Sequence, residues 1–284
     1  MRHASDHLMT HDGLRLSTRS WVPRCDPLAT VAIVHGFGSH IGRHERLATD
    51  LARGGYAVHG YDQRGHGFSP GERANVKRLE VLFDDLAAFV REARATHDGA
   101  PLVLFGHSLG GLLALRSVQE RLVEPDLLIL SAPLLRITGT PPRPIARLLT
   151  ALARPFPRLP TRAIDPRTIS HDPAEAEAYR LDPSVYHGPA KLRIATEMAR
   201  HGEIALAAAS RVRMPTLLLH GKDDRLVEPG PTGQLERALP HASLRLYADA
   251  AHDLFHDAQK ERVTADVLAW LQARLSPDAT LVAS

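Results

Sequence analysis

The chain has 284 residues, 44% of them hydrophobic and 24% charged. These values lie near the averages for soluble globular proteins and exclude disordered or fibrous architectures. Net charge is only +3, from 35 Lys and Arg against 32 Asp and Glu; the signs are interspersed, without the basic stripe of a nucleic-acid-binding protein, so no nucleic acid is expected as a partner. The single cysteine, Cys25, excludes an internal disulfide and suits a reducing compartment. Residues 1–16 lack the apolar region of a secretory signal, and no apolar run reaches the roughly 18 residues that span a bilayer. A soluble, cytoplasmic protein is expected.

Along the chain, residues 31–34 form the first apolar run with strand character, and a helical segment at 46–53 then ends at Gly54-Gly55. A second strand is predicted at 56–61. A helix over 79–95 follows, with Leu82, Leu86, Phe89 and Val90 on one face. Strands at 102–105 and 127–130 flank a helix at 109–122. After Ser131-Ala132-Pro133 the rhythm breaks: 134–214 is rich in proline, has short helical patterns and no convincing buried strand. Strands resume at 216–219 and 244–247, and a helix at 262–275 closes the series. Strands alternating with helices predict an α/β fold, a mostly parallel central sheet flanked by helices. The break predicts a core of residues 1–133 and 215–284, with 134–214 as an inserted helical cap. A separate domain is the alternative, although no Gly/Ser linker borders the segment.

Within the insertion, Ile145, Leu148, Leu149 and Leu152 form a helical stripe, with Pro144 at a suitable first turn. One reading packs the stripe onto the core. The other, suggested by Arg143, Arg147, Arg154 and Arg158, is an amphipathic lid in transient contact with an anionic membrane surface.

Gly106-His107-Ser108-Leu109-Gly110 lies between a predicted strand and a predicted helix. That context turns G-x-S-x-G into a nucleophile elbow, a turn so tight that the positions two residues before and after Ser108, Gly106 and Gly110, must lack side chains. The Leu109 N–H at the helix start is then an oxyanion donor. A serine hydroxyl needs a histidine to take its proton and an acid to orient that histidine. Of seventeen histidines, His252 follows the last predicted strand and has the required position in chain order; His256 is its rival. Asp223 and Asp224 both follow strand 216–219, with Asp224 preferred. Asp249 and Asp62 read as structural carboxylates. His35-Gly36-Phe37-Gly38 follows the first strand and offers the Phe37 N–H as second oxyanion donor, with His35 as a packed residue behind it. These groups need neither metal nor cofactor.

Together with Asp62-Gln63-Arg64-Gly65-His66-Gly67-Phe68-Ser69 and Gly221 to Arg225, these motifs resemble the monoacylglycerol lipase and lysophospholipase-like branch of the α/β-hydrolases over about residues 14–275. The resemblance implies a serine hydrolase cleaving monoacylglycerols or similar single-chain lipid esters, with lysophospholipase or general carboxylesterase as alternatives. Peptidase, acyltransferase and non-catalytic roles are less favoured. It further implies substrate contacts at Gly36, Ser39, Arg43, His107 and Phe255. Family members that bind glycerol often carry Glu and a polar residue where this chain has Ser39 and Phe255.

Overall fold

The computed structural model describes residues 1–275. Eight strands form one sheet: β1 (Arg2–Met9), β2 (Arg15–Val22), β3 (Thr30–Val34), β4 (Ala57–Tyr61), β5 (Leu102–His107), β6 (Leu127–Ser131), β7 (Thr216–Gly221) and β8 (Ala242–Tyr247). Their spatial order is β1-β2-β4-β3-β5-β6-β7-β8. The β1–β2 and β2–β4 pairs are antiparallel and the rest parallel. All six predicted strands are present. The hairpin β1–β2 was not foreseen, because six of the first seven β1 side chains are exposed and the apolar signal of a strand is absent.

Strands β3, β5, β6 and β7 are buried along their full length. Their side chains therefore feed two cores in alternation. Ala32, Val34, Leu104 and Leu130 face α2 (Glu80–Ala95) and α3 (Leu109–Gln119), where Tyr61 packs on Phe89 with ring centres 4.5 Å apart. Val31, Ile33, Val103 and Ile129 face α1 (Glu45–Arg53) and α8 (Lys260–Leu275). A further helix, α7 (Pro229–Ala238), precedes β8; two prolines and two glycines mask its pattern.

No strand of the sheet lies between β6 and β7. Residues 134–214 instead carry α4 (Arg143–Leu152), α5 (Pro173–Leu181) and α6 (Leu192–Ala207). Helix α6 packs into the same hydrophobic cluster as α2 and α3 through Ile194, Met198 and Ala205. Helix α4 does the opposite: none of its residues is buried, Ile145 and Leu148 are 51% and 59% exposed, and Leu149 lines a cavity. The stripe thus divides between cavity and solvent rather than packing onto the core. Among the described residues no helix is long and apolar enough to cross a membrane.

Candidate active site

Register brings the carboxyl ends of the central strands to one edge: Val34 lies opposite Gly106, His107 opposite Ser131, and Ser131 opposite Leu219. Loops leaving that edge converge, as parallel sheets require of their sites. Ser108 occupies the β5–α3 elbow with φ 54° and ψ −117°, a conformation costing about 1–3 kcal/mol for a non-glycine residue. A side chain at Gly106 or Gly110 would collide with the backbone of Gly110 or Val34. At Gly36 a Cβ would stand only 3.1 Å from that of Ser108. These glycines let the loop after β3 lie against the elbow.

His252 Nε2 is 2.9 Å from Ser108 Oγ, and its Nδ1 donates to Asp224 Oδ2 at 2.7 Å. The other Asp224 oxygen, Oδ1, accepts from the N–H groups of Leu226 and Val227 at 2.8 and 2.9 Å. Burial alone would raise the Asp224 pKa, but the charge of His252 and the hydrogen bonds from His220 and His252 hold it far below the usual carboxylate range. Burial would likewise lower His252; the Asp224 charge and hydrogen bond outweigh it and set His252 above an ordinary imidazole. A hydroxyl so placed can pass its proton to the imidazole as it attacks an electrophilic carbon. Asp223 is exposed and His256 turns to Asp253, its Nδ1 2.9 Å from Oδ2.

The loop after β3 is braced from behind. His35 Nδ1 donates to the Gly36 carbonyl at 2.8 Å and Nε2 accepts the Gln63 N–H at 2.9 Å, while burial drives its pKa down to about 3. It is neutral and structural, as its sequence position suggested. Asp62 accepts from Ile41 and Phe68 N–H and is structural too. Beyond its own helix, the Leu109 N–H has no hydrogen-bond acceptor among the described residues, and nor has that of Phe37. Leu109 opens α3, where intrahelical acceptors are absent.

Ser108 and His252 open into a cavity of about 910 Å³ that Gly36, Phe37, Ser39 and His107 also line. Its far wall comes from residues 134–214, including Leu134, Leu149, Ile164, Leu192 and Met198. Burial lowers the His107 pKa to about 4, so its ring is neutral beside His252, at 5.0 Å between ring centres. Two expected substrate contacts need correction. Phe255 is buried against Phe105, ring centres 5.4 Å apart, because the turn after His252 aims it into the core. Arg43 does not line the cavity either: its side chain is largely covered, with the guanidinium 5.0 Å from the Tyr179 ring centre and 3.8 Å from Asp253. Tyr179 and Asp253, which do line the cavity, were not foreseen. Neither was His220, a polar residue ending an apolar strand.

One cluster of metal-ligating type exists among the described residues, Glu80, Glu197 and His201. The Arg200 guanidinium already supplies positive charge there, donating to Glu80 and Glu197 at 3.1 and 2.8 Å.

A mostly parallel eight-stranded sheet, a serine on a strand-to-helix elbow and an inserted helical segment above it define an α/β-hydrolase. Residues 26–259 match the Hydrolase_4 family, described as serine aminopeptidase S33, and the chain belongs to that family. The monoacylglycerol lipase of Mycolicibacterium smegmatis is 28% identical over 265 residues, covering 93% of this chain and 95% of the relative. Rat (Rattus norvegicus) monoglyceride lipase is 29% identical over 276 residues, 95% and 91% of the two chains. A solved monoglyceride lipase from Saccharomyces cerevisiae, bound to a substrate analog, superposes with a TM-score of 0.83 at 25% identity, covering 94% of this chain and 95% of that one. The chain is accordingly a carboxylic ester hydrolase.

Proposed function

We propose that the protein hydrolyses monoacylglycerols or similar single-chain lipid esters, with Ser108 as nucleophile, His252 as general base and acid, and Asp224 as the orienting acid. What supports this most directly is the continuous hydrogen-bond chain from Ser108 through His252 to Asp224 at the mouth of a largely apolar cavity. Ser108 Oγ attacks the ester carbonyl carbon while its proton passes to His252 Nε2. The negative oxygen of the tetrahedral intermediate accepts from the Phe37 and Leu109 N–H groups. Removing one such donor typically costs about a hundredfold to a thousandfold in rate. His252 returns the proton to the leaving alcohol, leaving an acyl-enzyme. Water then attacks the acyl carbon, giving its proton to His252, and the acid departs as Ser108 recovers its proton.

The relatives named as monoacylglycerol and monoglyceride lipases support glycerol as the alcohol. A second reading, lysophospholipid hydrolysis, draws on Arg143, Arg147, Arg162 and Arg225: all four line the cavity and none forms an ion pair among the described residues. An anionic headgroup would satisfy them. Hydrolysis rates across monoacylglycerols, lysophospholipids and short aryl esters decide the matter. Highest kcat/KM on monoacylglycerol is expected, and preference for the phospholipid would reverse the choice. A fluorophosphonate probe should label the wild type and not Ser108→Ala; equal labelling of both would refute the nucleophile.

The same cap is the proposed point of peripheral membrane contact. Ile145, Leu148, Phe156 and Leu159 are each at least 45% exposed among arginines. Apolar side chains with a cationic rim fit an anionic lipid surface. Arg147→Glu combined with Arg154→Glu should weaken binding to vesicles containing anionic lipid, and unchanged binding would eliminate membrane contact through this surface.

A further inference from the structure

The proposed acid is held by two imidazoles. His220, at the end of β7, places Nε2 3.0 Å from the same Asp224 Oδ2 that accepts from His252, with the Val227 carbonyl at 3.3 Å. Its other nitrogen, Nδ1, is 2.8 Å from Thr232 Oγ1 on α7. Both His220 and Thr232 are fully buried. A carboxylate and a carbonyl facing Nε2 require a hydrogen there, which leaves Nδ1 to accept the threonine O–H. We infer that His220 is a positioning residue for the reaction: held as the Nε2–H tautomer by the two acceptors at Nε2, with Thr232 completing its hydrogen bonds at Nδ1, it shares Asp224 Oδ2 with His252 and so limits how strongly the acid holds the proton of the base. The inference rests on the triad proposed above.

Three details favour this over simple core filling. Asp224 Oδ1 is already pinned by two backbone N–H groups, so the carboxylate cannot rotate to spare Oδ2 from either imidazole. A buried histidine satisfied at both nitrogens is an unusual choice directly after Leu217-Leu218-Leu219, where another leucine would pack without needing partners. Thr232 comes from a different element, α7, and its hydroxyl satisfies Nδ1 and fixes the ring orientation without touching the triad. Density drawn to the His220 N–H weakens the attraction of Asp224 for protonated His252. Without it the base binds its proton more tightly and becomes available only at higher pH. Other titratable groups facing His252 are Asp253, beside it in sequence, and His107 from the end of β5, with His256 and Arg43 acting through Asp253. None of these contacts His220.

The test measures kcat/KM against pH for wild type, His220→Ala, His220→Gln and Thr232→Val on one soluble aryl ester. In His220→Ala the midpoint of the acid limb should rise by about 0.5 to 1 pH unit. In His220→Gln, whose amide can restore an N–H near Oδ2, it should return toward wild type. Thr232→Val, nearly isosteric, should shift the midpoint in the same direction by less, and it serves where His220→Ala fails to fold. An unchanged or lowered midpoint in the folded variants, with activity merely reduced at every pH, overturns the inference. Fluorophosphonate labelling of each variant keeps the two ideas apart. Failure of Ser108-dependent labelling in the wild type refutes the triad, whereas normal labelling with unshifted profiles refutes only the role of His220.

Discussion

Replacing Asp224 by asparagine gives a result that the geometry dictates in detail. Asp224 Oδ1 accepts two backbone N–H groups, from Leu226 and Val227, and those donors can only face an oxygen. The asparagine carbonyl must therefore take the Oδ1 position and its NH₂ the Oδ2 position. That NH₂ would confront two N–H donors, His252 Nδ1 and His220 Nε2, at what were 2.7 and 3.0 Å. Relief comes if His252 moves its proton to Nε2, so that Nδ1 accepts from the new amide. In that tautomer Nε2 carries a hydrogen toward Ser108 and cannot remove one. Loss of the base by a tautomer switch is worth about 10⁴-fold in kcat, or about 5.5 kcal/mol. The assay is steady-state hydrolysis of a chromogenic aryl ester, with circular dichroism to confirm the fold and Asp223→Asn, at an exposed position, as the control. Less than a tenfold loss in Asp224→Asn, or a comparable loss in Asp223→Asn, would refute the reasoning.

With its pKa raised, His252 should give a kcat/KM profile that climbs with pH about a midpoint above the ordinary imidazole value of 6.5; a midpoint below that value would contradict the dominance of Asp224. The linked stability has the opposite slope: a raised folded-state pKa stabilises the fold below the unfolded value, and that contribution disappears as pH rises through the folded one. Thermal melts of wild type and His252→Gln across this window would reveal it. Gly110→Ala drives a methyl group into the Val34 carbonyl and should cost about 3 kcal/mol or more, lowering Tm by roughly 6–12 °C in calorimetry. Asp182→Ala removes the 2.8 Å bond from His40 Nε2 that ties the segment after α5 to the core. Since Asp182 is partly exposed, about 1 kcal/mol of stability and a roughly threefold to tenfold drop in kcat/KM are expected, measured by melting and steady-state kinetics.

The parts of the fold that announce themselves in sequence are those where one physical demand acts alone. Strands buried on both faces favour unbroken apolar runs, so the middles of β3, β5, β6 and β7 stand out. An edge strand such as β1 meets no such demand and looks like a polar tail. Ser108 is legible because the elbow excludes side chains at Gly106 and Gly110, and His252 because topology orders the chain. The inward turn of the Arg43 and Phe255 side chains is not legible: each sits in a short helical turn, 41–44 and 254–256, that follows a cavity-lining residue, and only the direction of that turn decides which way it points. His220 left one signal, a polar group where β7 should be aliphatic, four residues before Asp224.

The Gly38 carbonyl accepts the Tyr186 N–H at 2.7 Å, and the Phe37 ring meets the Tyr186 ring edge-on with centres 6.4 Å apart. Tyr186 belongs to the insertion, while Phe37 carries one of the proposed oxyanion donors. The insertion and the loop that carries this donor are therefore joined at one point. If the insertion swings outward at this point to admit a long acyl chain, it would pull on the amide proposed to meet the oxyanion, and closure would reset it. Any opening at this joint would therefore disturb the chemistry as well as the entrance, so an unfilled, open enzyme is expected to be slow toward adventitious small esters.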